Sequence, residues 1–311
     1  MITFFQQSLD RICIAAATKS VSTGWRRPGQ AARAVELLAD PDFLTPVVPP
    51  AELTFQSKSR FTFPSVVRAP WDTPTAPGRF QRTRGDWQKA PAVILLHGWN
   101  GEMGYYFSFP LVERALAANG INALAFELPF HGRRRPRVRG EITNLISDDL
   151  LTMVEGMRHC LADALSLRLW LLEQGCPSVS LWGYSLGGWL TGLLSAHPHP
   201  FEASVLMNAV SRMDLAMATL PFAEPAREGM REQPLDLQTL NLTSVKPTVK
   251  HTLILAGQRD LFVPRETLDE LAQKWTHAEI WRMRHSHISS VLGAVTLFRA
   301  VRWLRRRLLH N

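Results

Sequence analysis

Short apolar runs alternate with longer helical stretches from residue 91 to the end of the chain. This alternation predicts an α/β fold, a mostly parallel β-sheet with helices on both faces, because parallel strands joined by crossover helices are buried on both sides. Strands are predicted in six near-continuous apolar runs, at residues 92–98, 121–129, 178–185, 203–210, 251–260 and 279–284. Helices are predicted beside them, at residues 105–119, 146–174, 186–196, 265–275 and 288–309.

The first ninety residues follow a different pattern. A helix is predicted at 31–39, and two antiparallel edge strands are predicted in LTFQS (53–57) and FTFPSVV (61–67). The polar, proline-rich stretch at 69–91 has the composition of a surface loop.

These patterns divide the chain into an N-terminal extension with edge strands, residues 1–90, and a core domain, residues 91–311. Within the core, residues 211–250 separate two predicted strands by more than an ordinary connection. We therefore expect this segment to carry its own structure and to form a short lid.

Cysteine usage and hydropathy indicate the compartment. Cys13, Cys160 and Cys176 cannot all pair, so reduced thiols and a cytoplasmic location are expected. Asp10 and Arg11 interrupt the apolar stretch near the start of the chain, which argues against a cleaved signal. No stretch reaches the roughly 18 uncharged apolar residues of a transmembrane segment. No sequence feature specifies an oligomeric state.

The chain carries 35 Lys and Arg against 27 Asp and Glu, a net charge of +8. Much of the excess lies in two clusters, at 131–140 and 298–310. Neither cluster is interleaved with aromatic residues or glycines in the way a single-strand-binding surface would be, and no nucleic-acid-binding motif accompanies them, so nucleic acid is not an expected partner.

The second basic cluster belongs to an amphipathic helix. An apolar stripe on one side predicts that this helix covers the sheet with its arginines solvated, and peripheral contact with a membrane surface is the alternative. The stripe comprises Leu297, Val301, Leu304 and Leu308, and the arginines are Arg299, Arg302 and Arg306.

The segment LWGYSLGGW (181–189) places Ser185 between Gly183 and Gly187, where a predicted strand ends and a predicted helix begins. This context is typical of a nucleophile elbow, a tight strand-to-helix turn that exposes a serine hydroxyl and leaves no room for side chains at the two glycines. The alternative is an ordinary helix start with Ser185 as its N-cap.

Over roughly residues 91 to 300 the chain resembles the α/β-hydrolase superfamily. Besides the elbow, four segments match in the expected order: LLHGWNG (95–101), FELPFHGRR (126–134), LILAGQRDLFVP (253–264) and HSHIS (285–289). The resemblance implies an oxyanion loop in the first segment and a Pro-x-His-Gly loop in the second. It places the catalytic acid in the third segment and the catalytic histidine in the fourth.

A serine hydroxyl is a poor nucleophile at pH 7 and needs a base within hydrogen-bond reach, oriented by a third group. The resemblance implies that Ser185 is the nucleophile, His287 the base and Asp260 the acid. Because Asp260 follows an apolar strand, its carboxylate is expected at the carboxyl end of the sheet, and the alternative is a helix N-cap or surface carboxylate.

Two alternatives for these roles stay open. Ser286 stands where the family usually has the glycine before its catalytic histidine, so His285 is the alternative base. Asp214 follows the preceding strand, where some family members place the acid, and is the alternative acid.

The oxyanion formed during acyl transfer needs two preorganised N–H donors. Leu186, directly after the nucleophile, supplies one from the start of a helix, where N–H groups have no helical partner. Trp99 is the candidate for the other. We expect His97 to hold the loop by hydrogen bonds rather than to act as a second base.

Two segments supply candidate side chains for an apolar pocket. The first set follows the oxyanion loop, and a helix start packed into the core is its alternative; it comprises Met103, Tyr105, Tyr106, Phe107 and Phe109. The second set lies in the expected lid and comprises Met213, Met217, Leu220, Phe222 and Met230.

These features predict a serine hydrolase that cleaves carboxylic esters or related acyl compounds of small molecules through an acyl-serine intermediate. The alternatives are an acyltransferase, thioesterase or amidase with the same triad, or a non-catalytic binding member of the fold. The chain shows no HExxH, Cys-x-x-Cys or Walker motif, and serine chemistry needs no cofactor, so neither metal nor cofactor is expected.

The basic segment at 131–140 is expected near the catalytic rim of the sheet. It could attract anionic acyl substrates, and a solvated loop is the alternative. Its arginines are Arg133, Arg134, Arg135, Arg137 and Arg139.

Overall fold

The computed structural model describes residues 2–21, 30–67, 73, 75–101, 104–138, 141–142 and 144–309. Strands in this part of the chain are β1 (Thr54–Phe55), β2 (Arg60–Pro64), β3 (Thr75–Gln81), β4 (Ala92–Leu96), β5 (Asn122–Phe126), β6 (Arg137–Val138), β7 (Glu141–Ile142), β8 (Val179–Tyr184), β9 (Ala203–Met207), β10 (His251–Gly257) and β11 (Ala278–Met283). Nine of them form one sheet, in the order β1-β2-β3-β5-β4-β8-β9-β10-β11.

The helices are α1 (Ile2–Ser20), α2 (Ala31–Leu38), α3 (Phe109–Ala118), α4 (Leu150–Glu173), α5 (Leu186–Leu194), α6 (Met213–Thr219), α7 (Glu224–Glu232), α8 (Arg265–Lys274), α9 (His287–Ser290) and α10 (Ala294–Leu308). A π-helical turn, Gly104–Ser108, leads into α3. The helix predicted at 288–309 is interrupted between α9 and α10.

The six predicted strands are present as β4, β5, β8, β9, β10 and β11, and they pair in parallel. Every residue of β4, β5, β8 and β9 is buried. Helices α3 and α10 cover one face of these strands, and α4, α5 and α8 cover the other. Burial on both faces explains why these strands read as continuous apolar runs. The predicted α/β class is confirmed.

The edge strands β1 and β2 pair antiparallel, as predicted. The interpretation of residues 69–91 as a surface loop is wrong, because β3 lies within it and joins β2 to the parallel strands through antiparallel pairing with β5. Gly78 of β3 lies under the Phe61 ring, which a Cβ atom would approach to 2.3 Å. Proline, glycine and arginine obscure the strand pattern of β3, although Ala76, Pro77, Gly78 and Phe80 are buried.

Helix α10 has the two faces expected of it. Leu297, Val301 and Leu304 are buried against the sheet, and Leu308 is half-buried. Arg299, Arg302 and Arg306 lie on the exposed side. In the described part of the chain, no helix is long and apolar enough to cross a membrane.

Two segments lie over the carboxyl end of the parallel strands. Residues 211–250 carry α6, α7 and short 3-10 turns, so the segment has structure of its own, as expected. Helix α1, which the sequence interpretation missed, packs against α9 and against the turn Pro221–Ala223. The N-terminal extension therefore contributes both to the sheet and to the cover over its catalytic rim.

Candidate active site

Ser185 lies in a strained turn between β8 and α5, with φ 56° and ψ −115°. Close backbone packing permits this turn only with glycines beside it. A Cβ atom on Gly183 would lie 1.9 Å from the Gly187 carbonyl oxygen, and one on Gly187 would lie 1.9 Å from the Leu96 carbonyl oxygen. The Ser185 side chain makes no capping hydrogen bond to α5, so the N-cap interpretation is wrong.

The structure brings Ser185, His287 and Asp260 together in one chain of hydrogen bonds. His287 Nε2 lies 2.8 Å from Ser185 Oγ, and His287 Nδ1 lies 2.7 Å from Asp260 Oδ2. The imidazole and the carboxylate are almost fully buried, with 3% and 1% of their side chains exposed. The arrangement can take a proton from the serine and hold the resulting imidazolium against a carboxylate.

The second oxygen of Asp260 fixes the orientation of the carboxylate. Oδ1 accepts hydrogen bonds from the backbone N–H groups of Phe262 and Val263, each at 2.8 Å. The Phe262 ring also stacks on the imidazole of His287, with ring centroids 4.4 Å apart. The loop that follows β10 therefore fixes the plane of the Asp260 carboxylate and the plane of the His287 imidazole.

Neither alternative residue reaches this site. Asp214 is bound to Arg212 by two hydrogen bonds of 2.9 and 2.8 Å, and the arginine lowers the pKa of its carboxyl. In the described part of the chain, His285 Nδ1 is buried without a hydrogen-bond partner, and its Nε2 lies against Gly293. Burial and the nearby Arg259 lower the pKa of His285.

Two polar residues beneath the triad hold the backbone of His287. Tyr184 donates its hydroxyl hydrogen to the His287 carbonyl at 3.0 Å, and burial, with the charges of Asp260 and Asp10, raises the pKa of this phenol well above its ordinary value. Asn208, at φ 45°, accepts from the Gly257 N–H at 3.0 Å and donates to Ser290 Oγ at 3.0 Å. The sequence interpretation identified neither residue.

The loop after β4 passes directly over the nucleophile. A Cβ atom on Gly98 would lie 3.2 Å from Ser185 Cβ. His97 Nε2 accepts from the Leu128 N–H at 3.0 Å, so its proton resides on Nδ1, which lies 2.8 Å from the Gly98 carbonyl oxygen. His97 thus organises the loop, as expected. Trp99 and Leu186, the predicted oxyanion donors, both line the cavity beside Ser185.

A cavity of about 320 Å³ opens beside Ser185. Its walls come from the loop after β4, from α6 and its following turn, from the α9 region and from α1. Trp99 stacks on Phe222 across the cavity, with ring centroids 4.5 Å apart. The apolar lining includes Cys13, Ala16, Ala17, Ile146, Val210, Met213, Ala216, Met217, Leu220, Phe222, Phe262 and Ile288.

The pocket prediction was right for four of the five residues named in segment 211–250 and wrong for the aromatic segment. Met213, Met217, Leu220 and Phe222 line the cavity, whereas Met230 does not. The residues after the oxyanion loop instead start a helix: Tyr105 and Phe109 are buried in the core, and Tyr106 and Phe107 are exposed. Met103 lies outside the described residues.

Two arginines at the start of the basic segment, Arg133 and Arg134, have structural roles. Arg134 is fully buried and donates to Asp163 Oδ2 at 2.7 Å and to the Glu127 carbonyl at 3.0 Å. Arg133 pairs with the carboxylate of Glu127 at 3.1 Å. For Arg134, both the anion-attracting and the solvated-loop interpretations are therefore wrong, because its guanidinium is buried in an ion pair with Asp163.

The other arginines of this segment differ in their surroundings. Arg135 donates to Asn100 Oδ1, a cavity residue, at 3.0 Å. The side chain of Arg137 and the whole of Arg139 lie outside the described residues.

In the described part of the chain, no group of three or more His, Cys, Asp or Glu residues is arranged to hold a metal ion.

Comparison with known proteins supports the resemblance. A family model described as the alpha/beta hydrolase family matches residues 93–309. Among curated proteins, none matches the sequence.

Solved structures share the fold at low sequence identity. Est1E from Butyrivibrio proteoclasticus, with ferulic acid bound, superposes at TM-score 0.59 and 15% identity over 76% of this chain and 96% of its own. Acetyl xylan esterase from Paenibacillus sp. R4 superposes at TM-score 0.58 and 13% identity, over 93% of this chain and 98% of its own. Acylaminoacyl peptidase from Pyrococcus horikoshii superposes at TM-score 0.57 and 17% identity, over 84% of this chain but only 42% of its own.

Proposed function

The chain belongs to the alpha/beta hydrolase family, and we propose that it cleaves carboxylic esters of hydrophobic acids through an acyl intermediate on Ser185. The observation that carries the proposal is the unbroken hydrogen-bond chain from Ser185 through His287 to Asp260, with contacts of 2.8 and 2.7 Å. A binding module has no requirement for a strained serine aligned with a buried imidazole and carboxylate.

In the proposed reaction, Ser185 Oγ forms a bond to the ester carbonyl carbon while its proton moves to His287 Nε2. The bond to the alcohol oxygen then breaks, and His287 returns the proton to the departing alcohol. Water attacks the acyl-serine with His287 as base again, which releases the carboxylic acid and restores the Ser185 hydroxyl. Asp260 keeps the proton of the neutral imidazole on Nδ1 and stabilises the imidazolium.

The negative charge on the former carbonyl oxygen needs N–H donors fixed in advance. Leu186 is the first residue of α5, where backbone N–H groups lack helical partners. Trp99 follows Gly98, whose backbone lies against Ser185, and its ring is held by Phe222. We assign the backbone N–H groups of Leu186 and Trp99 to this role.

The cavity favours a neutral, apolar acyl group. Among the described residues that line it, none is Lys, Arg, Asp or Glu, and carbon-rich side chains predominate. Burying apolar surface contributes roughly 0.8 kcal/mol per methylene group, so kcat/KM should rise with chain length until the cavity is filled. In this proposal α6 and the turn at Pro221–Ala223 act as the lid that shields the acyl chain.

A panel of p-nitrophenyl esters from acetate to palmitate tests this proposal, with Ser185→Ala as the matched inactive variant. We expect kcat/KM to rise to an optimum at intermediate length and to fall beyond it. Matched thioester and anilide substrates, and added alcohols as acyl acceptors, distinguish esterase activity from thioesterase, amidase and acyltransferase activity. A wild-type protein that hydrolyses none of these compounds contradicts the proposed function.

Location and membrane contact are separate parts of the proposal. None of the three cysteines is in a disulfide bond, which fits the reducing cytoplasm. The exposed arginines of α10 could contact anionic lipids at a membrane surface. Cosedimentation with vesicles of neutral and anionic composition tests that contact, and equal recovery with both vesicle types contradicts it.

A further inference from the structure

The N-terminal helix places a carboxylate directly behind the proposed triad. Asp10 of α1 is fully buried, although it lies at least 251 residues before the groups that donate hydrogen bonds to it. The family match begins at residue 93, so α1 lies outside the matched region. A buried carboxylate must be hydrogen-bonded to remain charged without a large free-energy cost, and its partners therefore indicate what it does.

Asp10 accepts four hydrogen bonds. Its Oδ2 accepts from the backbone N–H of Leu261 at 3.1 Å and from that of His287 at 3.0 Å. Its Oδ1 accepts from the backbone N–H of Ile288 at 3.0 Å and from the Ser286 hydroxyl at 2.8 Å.

These donors come from two different loops of the triad. Leu261 directly follows Asp260, and the other three donors belong to the start of α9, which carries His287. A single oxygen, Oδ2, bonds both loops at once. Asp10 thus links the backbone of the proposed acid to the backbone of the proposed base.

Further contacts hold α1 in this position. The Gln6 side chain accepts a hydrogen bond from Arg259 at 2.9 Å, and the Gln6 carbonyl oxygen lies 3.0 Å from Ser286 Oγ. One to two turns beyond Asp10, the small residues Cys13, Ala16 and Ala17 form one wall of the cavity. Helix α1 is therefore fixed at both triad loops before it reaches the proposed acyl site.

We infer that Asp10 is a positioning residue, which holds His287 and Asp260 at the separation needed for proton transfer. Asp10 touches neither substrate nor the reacting atoms in this account. Its effect acts through the acid–base pair, because loss of the bridge lets the two loops move apart. Misplacing a reacting group by about 1 Å can cost about 10²-fold in rate. The inference rests on the proposed acyl-serine function.

Asp10→Asn is the direct test. All four partners of Asp10 donate hydrogen bonds, and an amide offers only one acceptor oxygen, so at least one backbone N–H must face the new NH₂ group. We expect kcat per active site to fall about 10- to 100-fold while KM for a p-nitrophenyl ester changes less than threefold. Arg11→Gln, on the adjacent exposed residue of the same helix, is the control and should match wild type.

Active sites are counted by stoichiometric labelling with a fluorophosphonate, and folding is measured by thermal denaturation. A purely structural role would reduce the number of sites and leave the turnover of each remaining site unchanged. Unchanged turnover per site in folded Asp10→Asn therefore overturns the inference.

Ser286→Ala keeps the test valid if Asp10→Asn does not fold, because it removes one donor and leaves the buried charge in place. Turnover per site two- to fivefold below wild type is expected, and wild-type turnover per site overturns the inference. Wild-type protein is assayed first. A wild type that neither hydrolyses nor labels contradicts the proposed function, whereas an active wild type with unimpaired variants contradicts only the role of Asp10.

Discussion

Asp260→Asn changes one atom of the proposed acid and should disable the base. The backbone N–H groups of Phe262 and Val263 both donate to Oδ1, so the amide oxygen of the variant will occupy that position. Its NH₂ group then faces His287 Nδ1, which must accept the hydrogen bond and carry no proton. The proton moves to Nε2, the atom that has to receive one from Ser185.

An imidazole in this tautomer cannot act as a base toward the serine. In a well-studied serine protease the same substitution lowers kcat about 10⁴-fold, and this corresponds to about 5.5 kcal/mol of lost transition-state stabilisation. We expect a loss of that order in kcat and little change in KM, because Asp260 contacts no substrate. The side chain keeps its size and the two backbone contacts, so the melting temperature should stay close to that of wild type.

Steady-state hydrolysis of a p-nitrophenyl ester and the rate of fluorophosphonate labelling measure the effect. Asp214→Asn is the matched control, because its carboxylate pairs with Arg212 at the partly exposed start of α6. Exposed ion pairs contribute up to about 1 kcal/mol, so this variant should keep wild-type turnover. Asp260→Asn with kcat within tenfold of wild type would refute the reasoning, as would an equal loss in Asp214→Asn.

Three further sets of substitutions test other parts of the structure. His287→Ala should lower kcat by several orders of magnitude, whereas His285→Ala should retain most of it; equal losses in folded protein would contradict the choice of base. Arg134→Gln should lower the free energy of unfolding by about 3–5 kcal/mol, measured in urea, and should not change the preference between neutral and anionic esters. Gly187→Ala should lower the free energy of unfolding by about 3 kcal/mol or more, or prevent folding. Gly104→Ala should fold normally, because a Cβ atom at this position has no neighbour within 4 Å. A stable Gly187→Ala would contradict the proposed packing of the elbow.

The strands of the sheet were predictable where burial on both faces requires a continuous run of apolar residues. Strands β4, β5, β8 and β9 are buried on both faces and contain few polar residues. Strand β3 has the opposite character, since a proline, a glycine and an arginine interrupt its apolar residues, although it pairs with β2 on one side and with β5 on the other. No periodicity in residues 69–91 distinguishes this strand from a loop.

The triad was predictable because its residues occur in local motifs at strand ends. Asp10 and Asn208 have no such motif, and Tyr184 occupies a variable position of the elbow motif; each of the three contacts a segment at least 49 residues away in sequence. An aspartate within the apolar stretch of the N-terminal segment was the one available signal. Its meaning depends on the position of α1 over the site, which only the folded chain specifies.

Arg134 illustrates the limit of reasoning from charge. In the sequence it is one of five arginines in a basic run, which is typical of a solvated or ligand-binding loop. In the structure, Asp163 of α4 neutralises it within the core. The run of arginines therefore does not reveal that Arg134 is buried, because its burial depends on Asp163, a partner 29 residues away in sequence.

The central claim is that Ser185 forms a covalent acyl intermediate. It is tested most directly by mass spectrometry of the protein quenched in acid during turnover of a p-nitrophenyl ester, with parallel fluorophosphonate labelling. The account predicts one acyl or phosphonyl adduct per chain, on the peptide that contains Ser185, and none in folded Ser185→Ala. An adduct on another residue, or labelling and hydrolysis that persist in Ser185→Ala, would contradict it.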